Sequence, residues 1–530
     1  MNPAECVRLV LADTKEAAIA EMKEVFLSGG DKDKINFSFP FIYPVLKKAV
    51  VLKNSEKSNA KTLKLIKKIS EDLQRNEFHL AFKNFNEAQS YTKGNELAEK
   101  LESLKKDLLD KSGLSNEIKT GSKVIDDYKK EEEPLCHKWT ADVPKLYAGQ
   151  SKQIQAFSKA TLLHQTEALG RHLVAAQHIK PGCVVGIELP LANVLYSSCK
   201  YTHCSYCLTK SHILVPCQNC AQALYCGDSC RVSAWAAYHS FECQIAGDLE
   251  AAGLSPVDVL TVRILSLFKP EKILEAISQS GTANLRGFES DSLHSFLQTY
   301  CDPRSWKFEE TLAQVTTALV ILKICNLDEH PERVALSAFL LRCLQGIPLI
   351  SHEISERCNC GGRDFSDHGI ALGVFLALSL VNHSCDQNVV KQYYGRHSIM
   401  RAIRVIRKGE QIVDSYGPHF IADPFEERKQ VLQSRFRFKC VCEACEKRWP
   451  TQAEVPWSLQ VEISAQVRLA LKEYLEEGRV FMRWKEDLEK TVETMDCLGK
   501  RICVQYFVIQ QILKVLYASE ANYVFCKNIS

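Results

Sequence analysis

Between Cys204 and Cys243 the chain sets seven cysteines and one histidine in the pattern C-x2-C, C-x2-C, C-x3-C and H-x3-C. The eight side chains are Cys204, Cys207, Cys217, Cys220, Cys226, Cys230, His239 and Cys243. No other stretch restricts the fold so tightly. A short C-x2-C loop aims two thiolates at one ion, and two tetrahedral zinc ions need eight such ligands. The competing reading is a disulfide-rich segment; the spacing favours two structural zincs instead. Ser229 to Tyr238 has helical texture, which presents His239 and Cys243 from one helix end, four residues apart on one face. His203 and His212 fall outside the spacing and read as surface residues.

All 23 cysteines belong to a chain that opens MNPAECVRLV, with no basic stretch leading into a long apolar run, so no secretory signal is read there. Cysteine patterns inside cells are more often metal sites than disulfides, and the expectation is an intracellular protein of cytoplasm and/or nucleus. Lys47-Lys48 and Lys67-Lys68 read as helix-face charges, not as an import signal. No run of 18 or more uncharged apolar residues is found, so no membrane span is expected. Lys plus Arg (67) nearly balances Asp plus Glu (64), which gives no global case for nucleic-acid binding. Within the cysteine-rich segment only Lys210 and Arg231 are basic, too few to track phosphates. At 46% hydrophobic and 25% charged, the chain reads as globular, with room for roughly two to four domains.

Residues 1–110 read as helical. Leu63, Ile66, Ile69 and Leu73 recur at helical spacing opposite lysines, and Phe78, Ala81, Phe85 and Ala88 alternate large and small. That alternation resembles the second helix of a tetratricopeptide (TPR) repeat, although a plain helical hairpin fits it equally. Residues 111–153 read as a linker, with the charge run Lys129 to Glu133 ending at Pro134. Short strands are expected on both sides of Pro181-Gly182, then around Ile399–Ile403 and Gln411–Val413. Residues 255–350 read as mostly helix, and 457–527 as closing amphipathic helices.

Two further motifs carry more functional weight. One is Asn382-His383-Ser384-Cys385; the other is Cys440-Val441-Cys442-Glu443-Ala444-Cys445. Three thiolates leave a structural zinc one ligand short. Cys385, water or a different cysteine would complete it. Between the two lies Lys408 to Gly417, a turn and short strand ending in Tyr416-Gly417.

These motifs, in this order and with a double-zinc insert upstream, resemble the SMYD family of protein-lysine methyltransferases, whose SET domain is split by a MYND zinc finger. The resemblance covers roughly residues 160–447, and the N-terminal helices and Ser415 to Pro418 make it most similar to the branch with TPR-like helices. It implies an α+β fold: a split SET-domain β fold, an inserted MYND double-zinc finger, a post-SET zinc cluster, and helical N- and C-terminal regions. The implied divisions are 1–110 helical and TPR-like, 111–153 linker, 154–203 first part of SET and 204–243 MYND. They continue as 244–365 helical SET insertion, 366–420 SET core, 421–447 post-SET and 448–530 C-terminal helices.

The resemblance also assigns roles. S-adenosylmethionine is the implied cofactor, beside three structural zincs, the third held by Cys385, Cys440, Cys442 and Cys445. Asn382 and His383 match pseudoknot positions that hold the cofactor, Phe438 an aromatic that packs on its adenine, and Arg171 a position that wraps its methionine end. Tyr416 matches the tyrosine that lines the lysine channel. Methyl transfer from a sulfonium to an amine depends chiefly on orientation, and an apolar aromatic channel disfavours the charged amine. Implied partners are a protein or peptide with a target lysine and a proline-containing peptide at the MYND segment. Each residue has an ordinary competitor: Tyr416, His383 and Phe438 as core, Asn382 as a turn cap.

Several positions depart from the family pattern. His172 stands where a second glycine is usual after Gly170, Ile350 where an asparagine is usual, and Gln387 where a proline follows the NHSC motif. Phe436 replaces a second channel tyrosine and so lacks its hydroxyl. An alternative function therefore stands beside the methyltransferase: a catalytically weak or inactive scaffold acting in protein-protein interaction or transcriptional repression. The roughly 70 residues after Trp457 leave room for three or four helices.

Overall fold

The structure, a computed structural model, describes residues 3–14, 16–49, 59–92, 95–112, 143–279, 293–299, 306–358 and 366–524. Most of the expected linker, including Lys129 to Pro134, lies outside these residues.

Among the described residues six helices open the chain: α1 (Pro3–Asp13), α2 (Glu16–Ser28), α3 (Asp31–Ala49), α4 (Asn59–Gln74), α5 (Phe78–Tyr91) and α6 (Asn95–Lys111). They do not form one unit. Val10, Phe26, Ile35 and Ile42 of the first three join a core built mainly by the helices Pro256–Gln279, Phe308–Ile324 and Arg333–Ile350. The next three make a separate core with Ala221 and Ile213 of the cysteine-rich segment. The buried stripe of α4 runs through Leu65, Ile69 and Leu73; Leu63, expected on it, is 52% exposed. Spacing of four from Ile69 selects Leu65 and Leu73 together and turns Leu63 outward.

Among the described residues thirteen strands follow. β1 (Thr161–Thr166), β2 (Gly170–Ala175), β3 (Val184–Glu188) and β4 (Ala192–Leu195) precede β5 (Val215–Pro216) and β6 (Leu224–Tyr225). After the helical insertion come β7 (Ser351–Cys358), β8 (Ser366–Val374), β9 (Asn382–His383), β10 (Val389–Tyr394) and β11 (His397–Ala402). β12 (Val413–Asp414) and β13 (Tyr523–Val524) complete the set. β10, β11 and β3 form one antiparallel sheet, and β4, β8 and β7 another, with β13 added in parallel to β7. Val185, Ile370 and Met400 of these strands share a core with Phe157, Phe375 and Val381 from the connecting segments. Apolar residues at alternate positions are what a half-buried strand requires.

Among the described residues one helix, Arg333–Ile350, is long and apolar enough by composition to cross a membrane, although Arg333 and Arg342 keep it from being a charge-free run. It is 72% buried, packed in the helical core against α3 and the helix Phe308–Ile324. Three helices close the chain, Ala465–Glu477, Lys485–Cys497 and Val504–Ser519, around Trp484, Leu488, Ile509 and Leu513.

Candidate functional site

The twelve ligand-type side chains fall into three groups of four, each with its ligand atoms within 4.8 Å of one another. Cys204 and Cys207 meet Cys226 and Cys230; Cys217 and Cys220 meet His239 and Cys243; Cys385 meets Cys440, Cys442 and Cys445. The first two are thus interleaved along the chain, a pairing the spacing left open. A tetrahedron with arms of about 2.3 Å has edges of roughly 3.8 Å. Cys226–Cys230 at 3.5 Å, Cys217–Cys243 at 3.8 Å and Cys385–Cys445 at 3.6 Å fit that edge. The donor sets suit zinc, and the three clusters are able to hold three ions.

Local structure explains how His239 reaches its cluster. The helix Asp228–Ala234 passes into a π-helical turn, Trp235–His239, before the helix Ser240–Ala251. The wider turn changes the direction in which the next side chain leaves the axis, and His239 ends with Nε2 3.5 Å from Cys220 Sγ. His203 is not a surface residue. It is 3% exposed and lies 3.2 Å from Glu356 of β7. His212 is half-buried against the Phe82 ring. Both lie where the cysteine-rich segment meets other elements, which local spacing does not reveal.

At the third cluster two chain crossings meet. β9 and β12 pair in parallel, Asn382 with Val413 and His383 with Asp414. Asn388, fully buried, staples the crossing: Nδ2 donates to the Gln411 carbonyl at 2.8 Å, and Oδ1 accepts from the Val413 N–H at 2.8 Å. Sequence reasoning passed over this residue, because an asparagine that replaces strand hydrogen bonds leaves no periodic signal. Glu188 at the end of β3 was also missed. It accepts from the N–H groups of Ala377 and Leu378 and orders the loop leading to β9. Burial pushes its carboxyl up to about 8.

Tyr416 is fixed at both ends. Its N–H donates to His383 Nδ1 at 3.0 Å, and its hydroxyl donates to the Val381 carbonyl at 2.9 Å. Because Nδ1 accepts, the neutral ring carries its proton on Nε2, which faces Cys385 Sγ at 3.3 Å. Burial holds His383 neutral, with its pKa pushed down to about 4. One imidazole therefore joins the metal cluster to the Tyr416 backbone. The Tyr416 ring packs 4.8 Å from Phe436 and 6.2 Å from Phe438, and Phe438 meets His383 edge-on at 6.1 Å. Burial and the nearby Asp414 push the phenol well above its ordinary range, so it acts as a hydrogen-bonding group and not as a base. A cleft of about 240 Å³ opens beside Tyr416, with Val431 and Arg435 on its wall.

Asn382 donates to the Leu169 carbonyl at 3.0 Å and so holds the β1–β2 turn against this site. Gly170 in that turn has φ +62°, a conformation that favours glycine. Arg171 points its guanidinium at the Gln298 carbonyl, 3.0 Å away. The departing positions take ordinary structural places. Ile350 is buried in the helical core, His172 is buried with Nδ1 3.0 Å from the Gly170 oxygen, and Gln387 donates to the Val389 carbonyl.

Residues 170–417 match the family model described as SET domain. Among curated proteins, SMYD4 of Pongo abelii, a protein-lysine N-methyltransferase, is 24% identical over 391 residues, covering 58% of this chain and 48% of that protein. Over half of its length or more, the chain is similar to several SMYD proteins. Human SMYD2, an N-lysine methyltransferase, is 27% identical over 54% of this chain and 60% of its own length. Human SMYD3, a histone-lysine N-methyltransferase, is 24% identical over 61% and 69%. The chain spans less than half the length of the SMYD4 proteins it matches. A solved SET domain of LSMT, bound to lysine and AdoHcy, aligns at 12% identity over 68% of this chain and 87% of that one. Its TM-score of 0.21 is too low to carry an argument. The SET match begins at Gly170 and ends at Gly417, so it encloses Arg171, Asn382, His383 and Tyr416.

Proposed function

We propose that the chain is a protein-lysine N-methyltransferase that transfers a methyl group from S-adenosylmethionine to a lysine of a histone or non-histone protein. The observation that carries this reading is the convergence of His383, Tyr416, Phe436 and Phe438 around one point, with Asn382 drawing in the turn that bears Arg171. The bound cofactor supplies the electrophilic methyl. Asn382, His383, Arg171 and Phe438 are assigned to hold it, and Tyr416 to orient the incoming amine. The relatives' names support a protein substrate, and the mostly apolar ring cluster disfavours an ammonium ion. The double-cluster segment 204–243 is assigned as a MYND module, with a proline-containing peptide as its partner. Action inside the cell, in cytoplasm or nucleus, agrees with thiol metal sites.

A second reading keeps the fold and loses the chemistry. Ile350 buried in the helical core and a hydroxyl-free Phe436 beside Tyr416 favour a scaffold acting through protein contacts. Calorimetric titration with S-adenosylmethionine, beside His383→Ala, separates the two. Micromolar binding that the variant loses supports the enzyme. No heat from folded protein holding three zincs overturns it and leaves the scaffold.

A further inference from the structure

The helix Phe425–Phe436 carries an arginine in an unusual place. Arg428 is 1% exposed, among the largest fully buried side chains in the molecule. Its Nη1 donates to Cys445 Sγ at 3.2 Å, and its Nε donates to the Asp423 carbonyl at 3.1 Å. Nη2 is buried without a partner. Among the described residues no carboxylate forms an ion pair with it. A guanidinium stays charged at any ordinary pH, and a buried cation without a counter-charge is strongly unfavourable. The anion in contact with Arg428 is therefore sulfur.

The three clusters differ in how much they need such a partner. Four thiolates around one divalent ion leave a net charge of −2. In the first cluster Cys226 is exposed, and water screens that charge. In the second a neutral histidine replaces one thiolate and halves it. The third has four cysteines, with Cys385 and Cys445 buried among Phe420, Leu432, Ala444 and Trp449. We propose that Arg428 is the counter-ion of the Cys385–Cys440–Cys442–Cys445 zinc centre, so that loading of this ion and burial of this arginine occur together. When the ion leaves, the sulfurs return to thiols and Arg428 is stranded. Its helix, which ends at Phe436 beside Tyr416, then loses its anchor. The inference goes beyond the methyltransferase reading and does not depend on it.

The test uses full-length, zinc-loaded protein and follows zinc release to a colorimetric chelator, with mass-spectrometric mapping of the cysteines that become alkylated. Arg428→Met is expected to release one ion of three about 10- to 100-fold faster, the usual effect of losing an outer-shell partner. Cys385, Cys440, Cys442 and Cys445 are then modified first, while Cys204 to Cys243 stay protected. Arg428→Lys keeps the charge but not the fork, and releases the same ion several-fold faster than the parent. Lys429→Met, an exposed change on the same helix, behaves as the parent. Parent-like release in Arg428→Met overturns the proposal, as does equal loss from all three centres. If the methionine variant does not fold, parent-like release in Arg428→Lys overturns it instead.

Discussion

Tyr416 gains its position from two hydrogen bonds and three aromatic neighbours, and one of these neighbours, His383, links it to Cys385 of the third cluster. Tyr416→Phe removes the bond to the Val381 carbonyl, worth about 1 kcal/mol in stability, and leaves the ring in place. Methyl transfer to peptide is expected to fall about 10²-fold, as loss of amine orientation predicts, with cofactor affinity within about twofold of the parent. Unchanged turnover would remove Tyr416 from the reacting centre. His419, two residues past Gly417, gives a pH test. Burial pushes its pKa down to about 3, with Lys514 and Arg428 adding to the effect. The unfolded chain takes up this proton near pH 6.5, so the folded state binds fewer protons between about 6.5 and 3. Stability from this group is full above pH 6.5 and is lost as pH falls toward 3. His419→Asn should therefore show a smaller drop in Tm between pH 7.5 and 5 than the parent; equal drops would contradict the assignment. At this scale the sequence was most legible where chemistry has spacing. Cysteine and histidine intervals selected all eight members of the first two clusters and Cys440, Cys442 and Cys445 of the third, whereas Cys385 came from the family resemblance, as did the grouping of Tyr416, His383 and Phe438. Arg428 and Glu188 gave no signal, because a buried charge reads like a surface one until its neighbours are known.

The parallel crossing of β9 and β12 joins only two residue pairs, too short to persist on its own backbone bonds. Asn388 supplies what the short ladder lacks. Asn388→Ala leaves the Gln411 carbonyl and Val413 N–H without their buried partner, a cost of about 1–3 kcal/mol each before relaxation. The expected result is a lower Tm and weaker cofactor binding with all three zincs retained. Loss of the third zinc in this variant would mean that the crossing and the cluster are one unit. The same scale explains several sequence-level differences. Periodicity located many of the helices, and alternation the strands beside Pro181-Gly182 and at His397–Ala402. The two longest strands, β7 and β8, were missed, β7 falling within the expected helical insertion 244–365. The π turn at Trp235–His239 lies inside helical texture and changes only the direction of His239. Leu63 satisfied a count of apolar residues but not the angle at which α4 meets α5. These last two failures arise because one-dimensional spacing fixes the period of an element and not its orientation.

Across the whole molecule, the N-terminal helices serve two different cores, one shared with the SET insertion and one with the cysteine-rich segment. The large-small alternation of α5 assigns no role to its polar positions, and one of them, Asn86, is buried against the double-cluster segment. It donates to the carbonyls of Tyr201 and His212 at 2.9 and 3.0 Å, and accepts from the Leu214 N–H at 3.0 Å. Phe82 packs on the His212 ring beside it. These contacts span more than 110 residues of sequence, which is why no local pattern announces them. Asn86→Ala removes all three bonds at once, and water reaches the half-buried His212 side more readily than Leu214. The variant should show faster hydrogen exchange in α4–α6 and at the Leu214 amide, while α1–α3 keep their protection within the insertion core. Cofactor affinity should stay unchanged, because the SET site draws on neither the α4–α6 core nor its neighbours. Uniform loosening from residue 3 to residue 112 would contradict the two-core division. Unaltered exchange at Leu214 would mean that Phe82 and its apolar neighbours hold the contact alone. Selective release of α4–α6 would make these helices a brace for the zinc segment, and would turn the search for their binding partner inward.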